Sequence, residues 1–213
     1  MNVSRFEDAV PPKLFAELTR RVRALDQERL KNTYQTTFWY PFSAPRCVPE
    51  AVIEALRPRF EEPSVVGVEW WLSRMRTTDV RVDFHQDRDE KLALRTGRLR
   101  HPRLSSVLFL NRVKGGLLAV TDALPNPDNP CCAPDVLDLD LVAPKPNRLV
   151  RFEGTLTHGV LDANNALPVR KLPGPGALRL TLIMNWWDRR PTEVPLFSES
   201  RAYRSLRLGP PAR

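Results

Sequence analysis

From Val65 to Trp187 the chain is cut into short β-prone runs divided by turn residues, and this texture limits its fold more than any other feature. The runs are VVGVEWWL (65–72), DVRVDFH (79–85), LSSVLFLN (104–111), LLAVT (117–121), RLVRF (148–152), THGVL (157–161) and LRLTLIMNWW (178–187). Gly115–Gly116 separates two of them, and the Pro/Asn-rich LPNPDNPCCAPD makes a long loop after another. Many short strands with such punctuation predict an antiparallel barrel or sandwich. In front of them, Pro11 to Arg29 predicts an amphipathic helix, with Leu14, Leu18, Val22 and Leu25 at helical spacing behind a Pro–Pro start. Val48 to Arg59 predicts a second helix, and the aromatic, β-branched TYQTTFWYPF between them a strand. The expected architecture is therefore mainly β with flanking N-terminal helices packed on the core. It divides into an extension (1–60), a β core (61–190) and a short tail (191–213) within a single domain, the terminal LGPPAR being frayed.

Composition removes several alternatives. Hydrophobic residues are 42% and charged residues 27% of the 213, which excludes wholesale disorder. No apolar run approaches the roughly 20 residues of a membrane helix. The opening MNVSRFEDAVPPKLF is too charged and too proline-broken for a secretory signal, so a cytoplasmic location is expected. Cys131 and Cys132 are adjacent, Cys47 is alone, and no CxxC spacing points to zinc, so reduced thiols are the expectation. Lys plus Arg is 33 against 25 for Asp plus Glu, giving +8, and 27 of those basic residues are Arg. They are spread along the chain as on a solvated basic surface. RTGRLRHPR (95–103), with Arg95, Arg98, Arg100 and Arg103, is the one dense run. Placed in a connection between strands at the open end of a barrel, Arg98 and Arg100 would steer an anionic substrate, or simply keep the loop solvated.

Chemistry concentrates in DVRVDFHQD (79–87). Strand alternation puts Val80, Val82 and Phe84 on one face and Asp79, Arg81, Asp83, His85 and Asp87 on the other. An amphipathic strand on a protein surface has this pattern, and so does a strand of a small barrel, whose apolar face would turn to the covering helices and whose polar face, Arg81 and Asp83 included, would line an open mouth on the substrate side. His85 and Asp87 then point the same way. An imidazole and a carboxylate with one more histidine make the facial triad of a non-haem iron site, leaving positions open for cosubstrate and oxygen. Only two other histidines exist. His101 precedes a proline in the Arg-rich turn and reads as a surface imidazole, whereas His158 follows a Gly turn between two β segments, where it is either a core histidine satisfied by a backbone carbonyl or, if barrel closure brings it beside the first strand, the third ligand. In ALRLTLIMNWW, Arg179 and Thr181 share a face of an otherwise apolar strand. A buried Arg needs a carboxylate: a structural one such as Asp83, or that of a bound dicarboxylate gripped bidentately.

The order of these motifs carries a resemblance. H-x-D (85–87), then HPRLSSVLFLN, Gly115–Gly116, F-E-G-x-x-x-H-G-V around His158 and R-L-T-L at Arg179 resembles the iron(II)- and 2-oxoglutarate-dependent dioxygenases, most of all the prolyl-hydroxylase-like branch. The resemblance covers about Val65 to Trp187. It implies a double-stranded β-helix, or jelly roll of cupin-like form, with Fe(II) held by His85, Asp87 and His158. It also implies 2-oxoglutarate anchored by Arg179 with Thr181, O2 as the second cosubstrate, and oxygenase chemistry rather than halogenation, since halogenating relatives have a small residue in place of Asp87; hydroxylation is the commonest ending of that chemistry, beside desaturation, ring closure and epoxidation. Two departures stand out. The 21 residues from His158 to Arg179 form a longer gap than in compact relatives and contain Arg170 and Lys171, which compete for the anchoring role. Phe109 stands where some relatives have a tyrosine. The implied partner is a small-molecule, peptidyl or carrier-bound substrate. Competing readings are a basic nucleic-acid-binding or nucleic-acid-modifying protein, for which RTGRLRHPR and Trp70–Trp71 speak, and a β-barrel without catalysis.

Overall fold

A computed structural model describes residues 2–25, 37–60, 62–80, 84–124, 138–168, 170–200 and 208–209. Its strands are β1 (Val3–Phe6), β2 (Phe38–Tyr40), β3 (Gly67–Arg76), β4 (Leu104–Phe109), β5 (Leu118–Thr121), β6 (Asp140–Val142), β7 (Arg148–Glu153), β8 (Thr157–Val160) and β9 (Leu178–Trp187). Helices α1 (Pro12–Arg23) and α2 (Val48–Leu56) precede β3, and a short α3 (Glu90–Thr96) lies between β3 and β4. A six-stranded sheet runs β1-β7-β4-β9-β3-β2 and a three-stranded one β6-β5-β8, every pairing antiparallel. From β4 onward the chain passes back and forth between the two sheets, which makes a jelly roll. The expectation of a mainly β, double-stranded β-helix with helices packed on it is met.

The long pair β3–β9 is the spine of the large sheet, in register from Gly67↔Trp187 to Arg76↔Leu178. Alternation gives each strand two chemistries. Val68, Trp70 and Leu72 of β3 with Leu180, Leu182, Met184 and Trp186 of β9 turn to Leu18 and Val22 of α1 and Val52, Ile53 and Leu56 of α2 in the main core. The opposite face looks at the small sheet, where Val107, Phe109, Val150 and Phe152 pack on Leu118, Val120 and Val142. Helix α1 has the predicted amphipathic face, and within the predicted second helix the last turn, Arg57–Arg59, is 3-10. Residues 26–36, including the ends of the predicted first helix and strand, lie outside the described residues.

Three features depart from the sequence expectations. The extension supplies β1 and β2, the two edge strands of the large sheet, so residues from the first 60 complete the β core. In the tail, Leu208 is buried in the main core and its carbonyl accepts from the Val48 amide, so the last leucine is anchored. The Arg-rich connection holds α3, whose first turn is capped by the Asp89 carboxylate accepting from Leu92 N. Cys131 and Cys132 lie outside the described residues.

Candidate metal centre and cosubstrate pocket

The strand expected over Asp79–Asp87 is absent where the chain is described. Asp79 sits in a bend, residues 81–83, with Arg81 and Asp83, lie outside the described residues, and only His85 pairs with a neighbour. That pairing is with His158 of β8: His85 N donates to His158 O at 3.0 Å, and His158 N to His85 O at 2.9 Å. The approach depends on Gly159, because a Cβ there would meet the Phe84 ring at 2.6 Å. Phe84 packs with Ala119 and Leu161 of the small sheet rather than under the helices, correcting the expected orientation of that apolar face. After one ladder pair the chain turns away to bond the segment before β4, with Asp89 N donating to Arg100 O at 2.8 Å. Those competing partners, taken up within a few residues, are why no regular strand extends to Asp87.

The short bridge brings the three expected ligands together. Their donor atoms lie within 4.8 Å of one another. The Asp87 carboxylate stands 3.5 Å from His85 Nε2 and 3.4 Å from His158 Nε2. His158 Nδ1 is 3.2 Å from the Leu156 carbonyl, which can only accept, so Nδ1 carries the proton and Nε2 keeps its lone pair toward the cluster. Burial alone would push the Asp87 carboxyl up, but the two imidazoles and the Ser105 hydroxyl (donating at 3.1 Å) outweigh it and hold it well below the usual carboxylate range. Burial lowers His158, against the pull of Asp87. A carboxylate, an imidazole whose Nε2 lone pair faces it and a second imidazole make a set of the kind that ligates a divalent cation, so the donor set fits iron(II). His85 keeps 42% of its side chain exposed, which leaves one side of the cluster open.

Sequence reasoning missed the residues that hold these ligands. His101, expected at the surface, is part-buried with Nδ1 2.7 Å from the Asp87 backbone carbonyl. Asp89 is buried, caps α3 and accepts from Thr192 N and Oγ1 at 2.9 Å, tying the ligand loop to the segment after β9. The signals were present in HPRLSS and D-R-D, but polar residues in loops carry no periodicity to mark them.

Arg179 and Thr181 lie on the inner face of β9, both buried. Arg179 Nε donates to Gly116 O at 3.1 Å, and its guanidinium carbon lies 4.9 Å above the Phe109 ring. Gly116 has φ +67°, and a Cβ there would sit 3.3 Å from Arg179 Cδ, so the Gly–Gly turn makes room for this side chain. Asn111, ending LFLN, clamps the same stretch by donating to Leu178 O and accepting from Leu180 N. Thr181 Oγ1 is buried without a hydrogen-bond partner among the described residues. A guanidinium with an orphan hydroxyl two residues on, facing the space between the sheets, suits the far carboxylate of 2-oxoglutarate. Arg170 is exposed, and Lys171 reaches Asp79 at 3.8 Å. Arg98 is exposed, whereas Arg100 is partly covered and lies 3.9 Å from Asp89.

No family model matches the chain, and no curated protein matches its sequence. Solved structures do match. A Pseudomonas putida prolyl-4-hydroxylase aligns with a TM-score of 0.51 and 20% identity over 88% of each chain. HygX from Streptomyces hygroscopicus, crystallised with nickel and 2-oxoglutarate bound, aligns with a TM-score of 0.50 and 13% identity over 99% of this chain and 90% of the other. This chain has their fold. The resemblance read from motif order thus holds at the level of architecture across nearly the whole chain, beyond the β half that carried it.

Proposed function

We propose that the protein is an iron(II)- and 2-oxoglutarate-dependent dioxygenase that hydroxylates an unactivated C–H of an amino acid, peptidyl or natural-product substrate. The observation that carries this reading is the His85–Asp87–His158 cluster at the open side of a jelly roll whose inner face also bears Arg179. Bound there, iron(II) would use O2 and 2-oxoglutarate to put one oxygen atom into the substrate C–H and the other into succinate, with release of CO2. The chain's own part is to hold and orient. His85, Asp87 and His158 would hold the metal. Leu156, Ser105 and His101 fix those ligands in place. Arg179 and Thr181 would orient 2-oxoglutarate by its far carboxylate, and Phe109 walls the same pocket without adding a hydroxyl. Arg98 and Arg100, on the segment that leads back to β4, would meet an anionic group of the substrate at the rim.

The nucleic-acid reading loses support from the placement of charge and aromatics. Trp70 is fully buried in the main core. Arginines along the chain pair with acids, near or distant in sequence, as in Arg5–Asp140, Arg21–Glu17, Arg88–Glu90, Arg95–Glu193 and Arg148–Glu7. No helix of the described residues is long and apolar enough to cross a membrane. The test is conversion of 2-oxoglutarate to succinate by purified protein with iron(II), ascorbate and O2, followed by a substrate screen. Slow uncoupled turnover that His158→Ala abolishes is the expected result. Turnover unchanged in His158→Ala would remove the third ligand, and no turnover with any substrate would favour the barrel without catalysis.

A further inference from the structure

The inner face of the large sheet carries a second polar group that the metal and 2-oxoglutarate leave unused. Register aligns Trp39, Glu69, Asn185, Ser105 and Phe152 in one row across β2, β3, β9, β4 and β7. Ser105 is the residue that holds Asp87. At about 4.8 Å per strand, Asn185 is one step and Glu69 two steps, about 10 Å, from the serine beneath the metal ligands. Glu69 is part-buried, and its carboxylate accepts from Thr37 Oγ1 at 2.5 Å and Trp187 Nε1 at 3.1 Å. No cation pairs with it among the described residues. Beside it Asn185 is only 3% exposed, and its Oδ1 has no hydrogen-bond partner among the described residues. Trp71, two residues along β3 on the same face, is partly exposed. Among the described residues, a carboxylate without a counter-ion and an unpartnered amide oxygen beside a partly exposed tryptophan suit a nitrogen cation.

We propose that Glu69, Asn185 and Trp71 form the subsite that receives a protonated nitrogen of the substrate, an ammonium or a guanidinium. The inference deepens the oxygenase reading and rests on it for the word substrate. The subsite would fix one end of the molecule about two strands from the metal, so that a carbon several bonds from the nitrogen is presented for oxidation. Burial, with the nearby charges of Asp87 and Asp89, pushes the Glu69 carboxyl up to about 7, against the hydrogen bonds from Thr37 and Trp187. Among the described residues the groups facing it are therefore two acids, two neutral donors, Asn185 and indoles, with no base among them. A bound cation would favour the ionised form, so cation affinity should fall as pH drops below about 7 and level off above it.

The test is calorimetric titration of the full-length chain, with nickel(II) and 2-oxoglutarate, using N-acetyl-L-lysine amide, N-acetyl-L-arginine amide and the neutral N-acetyl-L-citrulline amide. At least one cationic probe should bind tenfold or more tighter than the citrulline probe at pH 8, with the preference shrinking at pH 6. Glu69→Gln should abolish that preference, and Asn185→Ala should weaken it while the melting temperature confirms a folded chain. Equal affinity for charged and neutral probes, absence of binding by all three, or a preference that survives Glu69→Gln would overturn the proposal. Nickel affinity, measured in the same samples, keeps the two readings apart. A cation preference in a chain that binds no metal would uphold the subsite and reject the oxygenase.

Discussion

The two faces of β9 are buried to the same degree and built from opposite chemistry. Toward the helices, Leu180, Leu182, Met184 and Trp186 are each 2% exposed or less, and Trp186 stacks on Phe60 with centroids 3.7 Å apart. Toward the small sheet, Arg179, Thr181 and Asn185 are just as enclosed, yet two of their oxygens have no partner. Burial stabilises the first face at about 25 cal/mol per Å² of apolar area. On the second face each unpaired buried oxygen costs about 1–3 kcal/mol. One strand thus holds the fold together with its even residues and keeps, at Thr181 and Asn185, buried oxygens without a partner among the described residues.

The largest effects should separate the faces cleanly. His85→Ala removes an exposed ligand, so divalent-metal affinity should fall by more than about 100-fold, beyond the 10- to 100-fold typical of supporting residues. The melting temperature of the metal-free chain should hardly move. Leu182→Ala should do the reverse, costing about 2–5 kcal/mol in denaturant unfolding while the folded fraction binds metal normally. Metal affinity lost in Leu182→Ala, or a collapse in stability of His85→Ala, would show that the two faces are not independent.

A smaller effect tests the one place where fold and site share a residue. Gly159→Ala would drive a methyl into the buried Phe84 ring next to the His85–His158 bridge. The overpacking should cost about 1–3 kcal/mol and displace His85, weakening metal affinity as well as stability. Normal affinity in Gly159→Ala would mean that the bridge does not position His85.

The difference between the faces also explains what the sequence revealed. Period-two alternation in ALRLTLIMNWW showed an Arg and a Thr on an apolar strand, and the scarcity of histidines narrowed the third ligand to His158 or His101. Helix α1 was legible because Leu14, Leu18 and Val22 recur at helical spacing. Glu69 and Asn185 were not, because their meaning arises from cross-strand register, which pairs residues 116 positions apart. Nor was the course of residues 84–89, where a single ladder pair gives way to hydrogen bonds with Arg100, His101 and Ser105. Local sequence favoured a strand there, and tertiary hydrogen bonding overrode it.

The smallest effects probe the 2-oxoglutarate side of the inner face and sharpen the comparison most. Arg179→Lys keeps the charge, but loses the planar fork and the Nε donor to Gly116 O. Affinity for 2-oxoglutarate, titrated into the metal-loaded chain, should fall about tenfold, which is about 1.4 kcal/mol. Arg170→Ala, at an exposed position, should leave it unchanged; the reverse ranking would transfer the anchor to the long connection before β9. Thr181→Val completes the test, because it removes the orphan hydroxyl and leaves the shape nearly intact. If that hydroxyl waits for a ligand, the valine variant should be more stable by about 1 kcal/mol without 2-oxoglutarate and bind it severalfold more weakly. A variant that gains stability but binds 2-oxoglutarate as before would show the hydroxyl to be a plain packing defect. One that loses both would show it to be part of the fold. Only the opposed pair of changes, stability up and affinity down, fits a face kept polar for its ligand.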